Sequence, residues 1–223
     1  MRERPILFSG QMVRAILQGR KTQTRRVVNS AKDHSGGGIF SPAEIATDLD
    51  PCLHCPHGLP GDRLWVREAW RTPLSYDVHN GTELAERCIG AGYKKPWAPI
   101  RYEADGWRDN WYAGNLRGRD DTQGRLRAAR FMPRWASRIL LQVISVRVQR
   151  LQDINADDAI AEGLRWRPAL EAWTANDEDS WPTFVDPRRS FAGLWNSING
   201  ERDGAEWGSN PYVWAITFQR IET

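Results

Sequence analysis

The hydrophobic positions of this chain fall into a few short periodic runs separated by long aperiodic ones. The strongest run covers residues 139–151, where Leu141, Val143 and Ser145 alternate with Ile144, Val146 and Val148; a period of two predicts a strand. Residues 6–8 and 25–28 predict short strands, and residues 63–70 a further one with Leu64, Val66 and Trp70 on one face. Weaker patterning at 100–104 and a clear run at 213–221 complete the set. Met12, Ala15, Ile16 and Leu17 repeat at helical spacing and predict a helix over 11–18. Gly19 ends it, because glycine accepts the left-handed conformation common just past a helix. Asn155 is a good cap for a helix over 156–162, stopped by Gly163. Ser190 caps another over 191–198, with Phe191, Leu194, Trp195 and Ile198 on one face.

Between these runs, residues 29–60, 71–138 and 165–187 show no sustained period. They carry turn formers, among them the glycine-rich tip at 35–38 and prolines at 42, 51, 56 and 60. They read as insertions in a single domain spanning 1–223, a length that supports one sizeable core. Strands do not alternate with long helices, which argues against a parallel sheet. The expectation is an α+β fold: five or six mostly antiparallel strands forming a small barrel, with short helices and long loops.

Composition narrows the setting. No apolar run reaches the roughly 18 residues of a membrane span, and the N-terminal stretch lacks a secretory apolar segment. Three cysteines, an odd number, argue against a disulfide framework. A cytoplasmic protein with no membrane attachment is expected; the oligomeric state is left open. Formal net charge is only +3, yet seven arginines (117, 119, 125, 127, 130, 134 and 138) fall within residues 117–138 against two acids, Asp120 and Asp121. Such a stretch suits phosphate groups, and it suits equally a solvated loop of an arginine-rich chain. The chain has twelve tryptophans, and a broad apolar ring suits both core packing and base stacking. Trp135 inside the basic stretch is a stacking candidate. Trp65 is another, near Glu68 at the end of the predicted strand.

Lys21 carries the most pointed chemistry. Only four of the 31 lysines and arginines are lysine, and a desolvated lysine can lose its proton where arginine stays charged. Lys21 lies in the turn after Gly19, close to Arg20, Arg25 and Arg26, and three residues before the hydroxyl of Thr24. Lowered in pKa, Lys21 can take the Thr24 proton, so that the threonine attacks an acyl carbon while backbone amides of the turn hold the oxyanion. Alternatively, Lys21 and Arg26 stay charged and the turn clamps a phosphate, with Thr24 donating a hydrogen bond. Neither chemistry needs a cofactor. Cys52 and Cys55 stand at CxxC spacing, with His57 and Cys88 as further possible zinc ligands. No second pair at similar spacing exists, and a loop of small buried cysteines without metal is the preferred reading.

The segment from Ile16 to Thr24, with Gly19, Lys21, Thr24 and Arg26, resembles the signature of the ASCH family within the PUA-like superfamily, usually written GxKxxExR. The threonine in the glutamate slot is similar to that of the small bacterial N4-acetylcytidine amidohydrolases. The resemblance implies a catalytic trio of lysine, threonine and glutamate, which falls on Lys21, Thr24 and Glu162. In that arrangement Glu162 orients the lysine or binds the exocyclic amine of a base. The stretches 63–68, 132–138 and 158–163 are instead similar to longer ASCH proteins of tailed phages and prophages. The fold implied is a PUA-like pseudobarrel. The activity implied is removal of an N-acyl group from a modified nucleoside or base, with Gly19, Arg26, Glu68, Trp65 and Trp135 around the substrate. A non-catalytic RNA- or DNA-binding module that reads a modified base, and a ribonuclease, are the alternatives. A glutamate close to Lys21 would stabilise its charged form and oppose its use as a base.

Overall fold

A computed structural model describes residues 1–32, 39–109, 111, 122–175 and 183–222. The glycine tip at 36–38 and Arg117, Arg119, Asp120 and Asp121 of the basic stretch lie outside the described residues. In chain order the elements are β1 (Glu3–Leu7), α1 (Gly10–Leu17), β2 (Gln23–Val27), β3 (Ala31–Lys32), β4 (Ile39–Phe40), α2 (Pro42–Thr47), β5 (Arg63–Arg67), β6 (Trp70–Arg71), α3 (Gly81–Gly90), β7 (Ile100–Tyr102), β8 (Arg108–Asp109), β9 (Leu140–Arg150), α4 (Ala156–Ala161), β10 (Arg165–Arg167), β11 (Ala172–Thr174), α5 (Pro187–Asn199) and β12 (Tyr212–Ile221). They pack as two compact units. One comprises Met1–Arg2, Ala15–Arg63 and Leu141–Arg220; the other comprises Glu3–Arg14, Leu64–Leu140 and Ile221–Thr223.

In the first unit β9, β12 and β2 lie side by side in that order. β12 and β2 are antiparallel, with Ile216 opposite Thr24 and Ala215 opposite Arg25. β9 follows the predicted run, but its alternation changes phase: Leu141 and Val143 are buried, then Val146 rather than Ser145. α4 and α5 close over a core of Leu151, Ile154, Ala159, Leu164, Phe191, Leu194, Trp195 and Val213. Within it the Trp195 indole donates to the Ala205 carbonyl at 2.7 Å, so the ring is buried without leaving its N–H unpaired. α5 begins earlier than Ser190 suggested. Asp186 is the cap, accepting from the Arg188 amide, and Pro187 fills the first turn, where its missing N–H is harmless. Ser190 lies inside the helix and donates to the Trp173 carbonyl. Ile198, expected on the buried face, is exposed. The stretch read as irregular after residue 165 contains the antiparallel pair β10–β11.

In the second unit β1 lies beside β5, and β6, β7 and β8 form an antiparallel three-stranded sheet. The single strand predicted over 63–70 is two elements. β5 ends at Arg67, and Trp70 belongs to β6, opposite Tyr102. Leu64, Trp65 and Val66 are all buried, so β5 is covered on both faces rather than one. Trp70, Ile100, Tyr102, Met132 and Ala136 form the core of this unit. α3 occupies a stretch read as loop-rich. Asn80 accepts from the Thr82 and Glu83 amides while the Glu83 carboxylate accepts from the Asn80 amide, a reciprocal cap that fixes the helix start.

The class is α+β, with mostly antiparallel strands and few helices, as the periodicity predicted. This is compatible with a small pseudobarrel, although no closed barrel forms among the described residues. Among them no helix is long and apolar enough to cross a membrane.

Candidate functional site

The predicted turn after α1 forms in the first unit. Gly19 adopts φ +74° and donates to the Ile16 carbonyl, while the Arg20 and Lys21 amides both donate to Ala15. The chain then runs against the end of α4: the Thr22 amide donates to Ala161, and Lys21 pairs with Glu162 as an isolated antiparallel bridge. Gly163 permits this approach. Its φ is +106°, and a Cβ there would lie 2.9 Å from the Ala15 Cβ and 3.0 Å from the Lys21 Cβ. Arg20 closes the turn by donating to the Gly163 carbonyl.

The Lys21 side chain is sealed from solvent. Its Nζ donates to Glu162 Oε2 at 2.7 Å and to the carbonyls of Glu162 and Gln23, each at 2.9 Å. Three acceptors around one nitrogen match the three protons of an ammonium. Burial pushes the Lys21 pKa down and Glu162 pushes it back up, with Arg26 and Arg25 adding to the depression. Glu162 is shared: Arg25 reaches its Oε1 at 3.1 Å. Asp158, one turn earlier on α4 and on the same face, accepts from Arg25 at 2.8 Å, Arg147 at 3.0 Å and Gln23 at 3.1 Å. Gln23 Oε1 accepts from Arg25 in turn. Two carboxylates, Asp158 of α4 and Glu162 at its C-cap, thus bind cations from β2, from β9 and from the turn after α1.

Of the expected trio, Lys21 and Glu162 meet. Thr24 is buried on β2, one position before Arg25, and strand alternation sends its side chain to the opposite face from Gln23 and Arg25. Among the described residues no hydrogen bond engages its hydroxyl with Lys21 or Glu162. Arg26 is lowered by burial, with Glu162 opposing. Gly19 serves the turn geometry.

Glu68, Trp65 and Trp135 belong to the second unit and are committed to other partners there. Glu68 is buried in a two-pronged pair with Arg138, Nε to Oε1 and Nη2 to Oε2, both at 2.9 Å. Burial raises the Glu68 carboxyl above its usual range, against the pull of Arg138. Trp65 is buried with the Arg67 guanidinium 4.6 Å from its ring. Trp135 donates to the Gly81 carbonyl at 3.1 Å and meets Trp70 edge-on. Cys52 donates its Sγ–H to the Val146 carbonyl, and the Cys88 thiol donates to Trp97 in the second unit. Among the described residues no three His, Cys, Asp or Glu side chains cluster as metal ligands.

Gln23, Asp158 and Arg147 were not singled out from the sequence, and Arg25 was named only as a charge near Lys21, not as a partner of Glu162 and Asp158. The pair Asp158 and Glu162 at i, i+4 on a predicted helix was a usable signal for two carboxylates on one face. No protein-family model matches the sequence, and no curated protein or solved structure matches it either.

Proposed function

We propose that this protein is an ASCH-type, PUA-like module that recognises a modified base or nucleoside, free or within nucleic acid, without hydrolysing it. The observation carrying this reading is the set around the buried Lys21 nitrogen, one carboxylate and two carbonyls, which matches an ammonium and leaves the Thr24 hydroxyl outside. A general base must be neutral and within hydrogen-bond reach of the proton it takes. Lys21 instead fixes Glu162 and, through it, Arg25, so that its charge organises the region. The three free cysteines accord with the cytoplasmic setting this reading implies.

Hydrolysis of an N-acyl group is the second reading, and one observation favours it. Lys21 and Glu162, 141 positions apart, meet at 2.7 Å, the same two residues that the family signature pairs. In that mechanism Lys21 first passes its proton to Glu162, leaving both neutral. Thr24 Oγ1 then attacks the acyl carbon as Lys21 takes the hydroxyl proton. The C–N bond breaks with protonation of the leaving amine, and water releases the acyl group from Thr24. The burial that lowers the Lys21 pKa helps the first step.

Incubation with N4-acetylcytidine, free and within a short RNA, separates the readings when binding and product release are measured together. Recognition predicts tighter binding of the acetylated than of the plain ligand, with no acetate formed. Acetate release that Lys21→Arg abolishes would establish the hydrolase. Equal binding of both ligands without turnover would defeat both readings.

A further inference from the structure

A second feature stands apart from Lys21. The second unit holds a groove of about 750 Å³, in the range of roughly 300–1,000 Å³ typical of ligand clefts. Arg67, Arg125, Arg127 and Arg130 line it, with Trp70 and Phe131, and among the described residues no Asp or Glu does. Three N–H groups on its lining residues are buried without a hydrogen-bond partner: Arg67 Nε, Trp70 Nε1 and Arg127 Nε. Trp70 is fully buried and Arg127 is 7% exposed. Buried polar groups are normally paired, and an orphaned one asks for an explanation. All three lie behind the groove wall with no surface of their own, so contact with a ligand falls first to the exposed Arg125 and Arg130.

The cations are also held in place. Arg127 is anchored by the carbonyls of His79 and Tyr76 and the Thr72 hydroxyl. Its guanidinium packs 5.2 Å from the Trp70 ring, and Asp77 approaches it only at 3.7 Å. Burial and the neighbouring Arg125 lower its pKa, with Asp77 opposing, so like charges are gathered here rather than dispersed. Arg67 donates to the Arg130 carbonyl. The start of α3 supplies Asn80, Gly81 and Thr82 to the same wall. Gly81 lets the helix approach that wall, since a Cβ there would stand 3.0 Å from Pro133. The positive end of a helix dipole adds to the field. At the rim Phe131 is 64% exposed, with the Arg130 guanidinium 4.7 Å from its ring.

We infer that this groove binds single-stranded nucleic acid, its arginines taking successive phosphates and Phe131 stacking an unpaired base. A cationic wall beside an exposed aromatic ring is the combination that sequence-tolerant strand binding uses. A duplex keeps its bases stacked and leaves Phe131 without a partner, which favours the single strand. This goes beyond base recognition near Lys21 and does not depend on it.

The test is fluorescence anisotropy of a labelled dT12 strand across a salt series, with the matching duplex and a hexaglutamate peptide as competitors. Four phosphate contacts predict a slope of about 3 for log Kd against log salt. Arg125→Glu with Arg130→Glu, both exposed, should weaken binding at least about tenfold and flatten that slope. Phe131→Ala should weaken it about tenfold and leave the slope unchanged, by loss of stacking. Arg202→Glu with Arg220→Glu, an equal charge change in the first unit, should alter Kd less than about threefold. Circular dichroism of each variant checks that it folds. An equal loss in both charge swaps would overturn the inference, as would competition by duplex or hexaglutamate as effective as by unlabelled dT12. Free N4-acetylcytidine binding reads the Lys21 region alone, so failure of the groove leaves that reading standing, and the reverse holds.

Discussion

Lys21 and Arg127 are both nearly sealed from solvent, yet their surroundings differ in kind. Lys21 has a carboxylate at 2.7 Å, and that carboxylate also takes Arg25. Arg127 is met by neutral carbonyls and a hydroxyl, has Asp77 no nearer than 3.7 Å, keeps one donor unpaired, and has another arginine beside it. In the first unit the desolvation of a cation is offset by an anion of the same chain. At Arg127 it is offset mainly by dipoles, with Asp77 farther off at 3.7 Å, and part of the positive field is left to act across an open groove. Paired charge fixes architecture; unanswered charge beside a cavity is what a ligand can use.

Four single substitutions and one double variant break or sharpen this contrast, from the largest expected effect to the smallest. Glu162→Gln leaves Lys21 and Arg25 buried with one carboxylate fewer, and should destabilise the protein by about 3–5 kcal/mol in urea unfolding. Replacing both ends with apolar residues, Lys21→Met with Glu162→Leu, should recover much of that loss; if it recovers none, the pair is more than a mutual neutralisation. Gly163→Ala forces a side chain into a left-handed backbone and against Ala15 and Lys21, and should lower stability by about 1–3 kcal/mol.

Asp105 tests pairing at the edge of the second unit. Burial alone would raise its carboxyl, but hydrogen bonds from Arg138 and the Trp107 amide hold it below the usual range. A depressed carboxylate contributes stability above its unfolded pKa of about 4 and loses it as pH falls through the folded value. Asp105→Asn should therefore destabilise by less than about 1 kcal/mol at pH 7 and show less further loss below pH 4 than the wild type, followed by thermal melts. Arg125→Ala removes a like charge from beside Arg127 and should leave stability within about 0.5 kcal/mol, shifted upward if at all. A large loss would mean that Arg125 is a structural residue and that the two units treat charge alike.

What the sequence made legible was what local chemistry decides. Gly19, Asn155 and the run at 139–151 each declare their conformation within a few residues, and each is found where expected within a residue or two. The start of α5 was misplaced because Ser190 is a good cap in isolation, while the preceding Asp186–Pro187 is a better one. α3 had a readable signal in Asn80 and Glu83, obscured by its surroundings of Gly, Pro and polar residues. Trp65 and Trp135 were sensible stacking candidates by type. Burial decides between packing and display, and burial is a property of the folded chain: both are packed, and Phe131 is an exposed ring at the groove. The meeting of Lys21 with Glu162 came from the family signature, and the roles of Arg25 and Asp158 from geometry alone.

The 141-residue separation of Lys21 from Glu162 has a consequence for synthesis. The first unit is interrupted in sequence, its early part ending at Arg63 and resuming at Leu141, and β2 finds its neighbour only in β12. A nascent chain that has emerged only to residue 150 exposes Lys21 and Arg25 with neither Asp158 nor Glu162 yet made. Closing so long a loop is slow compared with local pairing. The second unit, nearly all contained in residues 64–140, has its partners available much earlier. Arrest of translation near residue 150 should thus yield a chain in which the groove is already formed while the cationic strand β2 still waits for its anions.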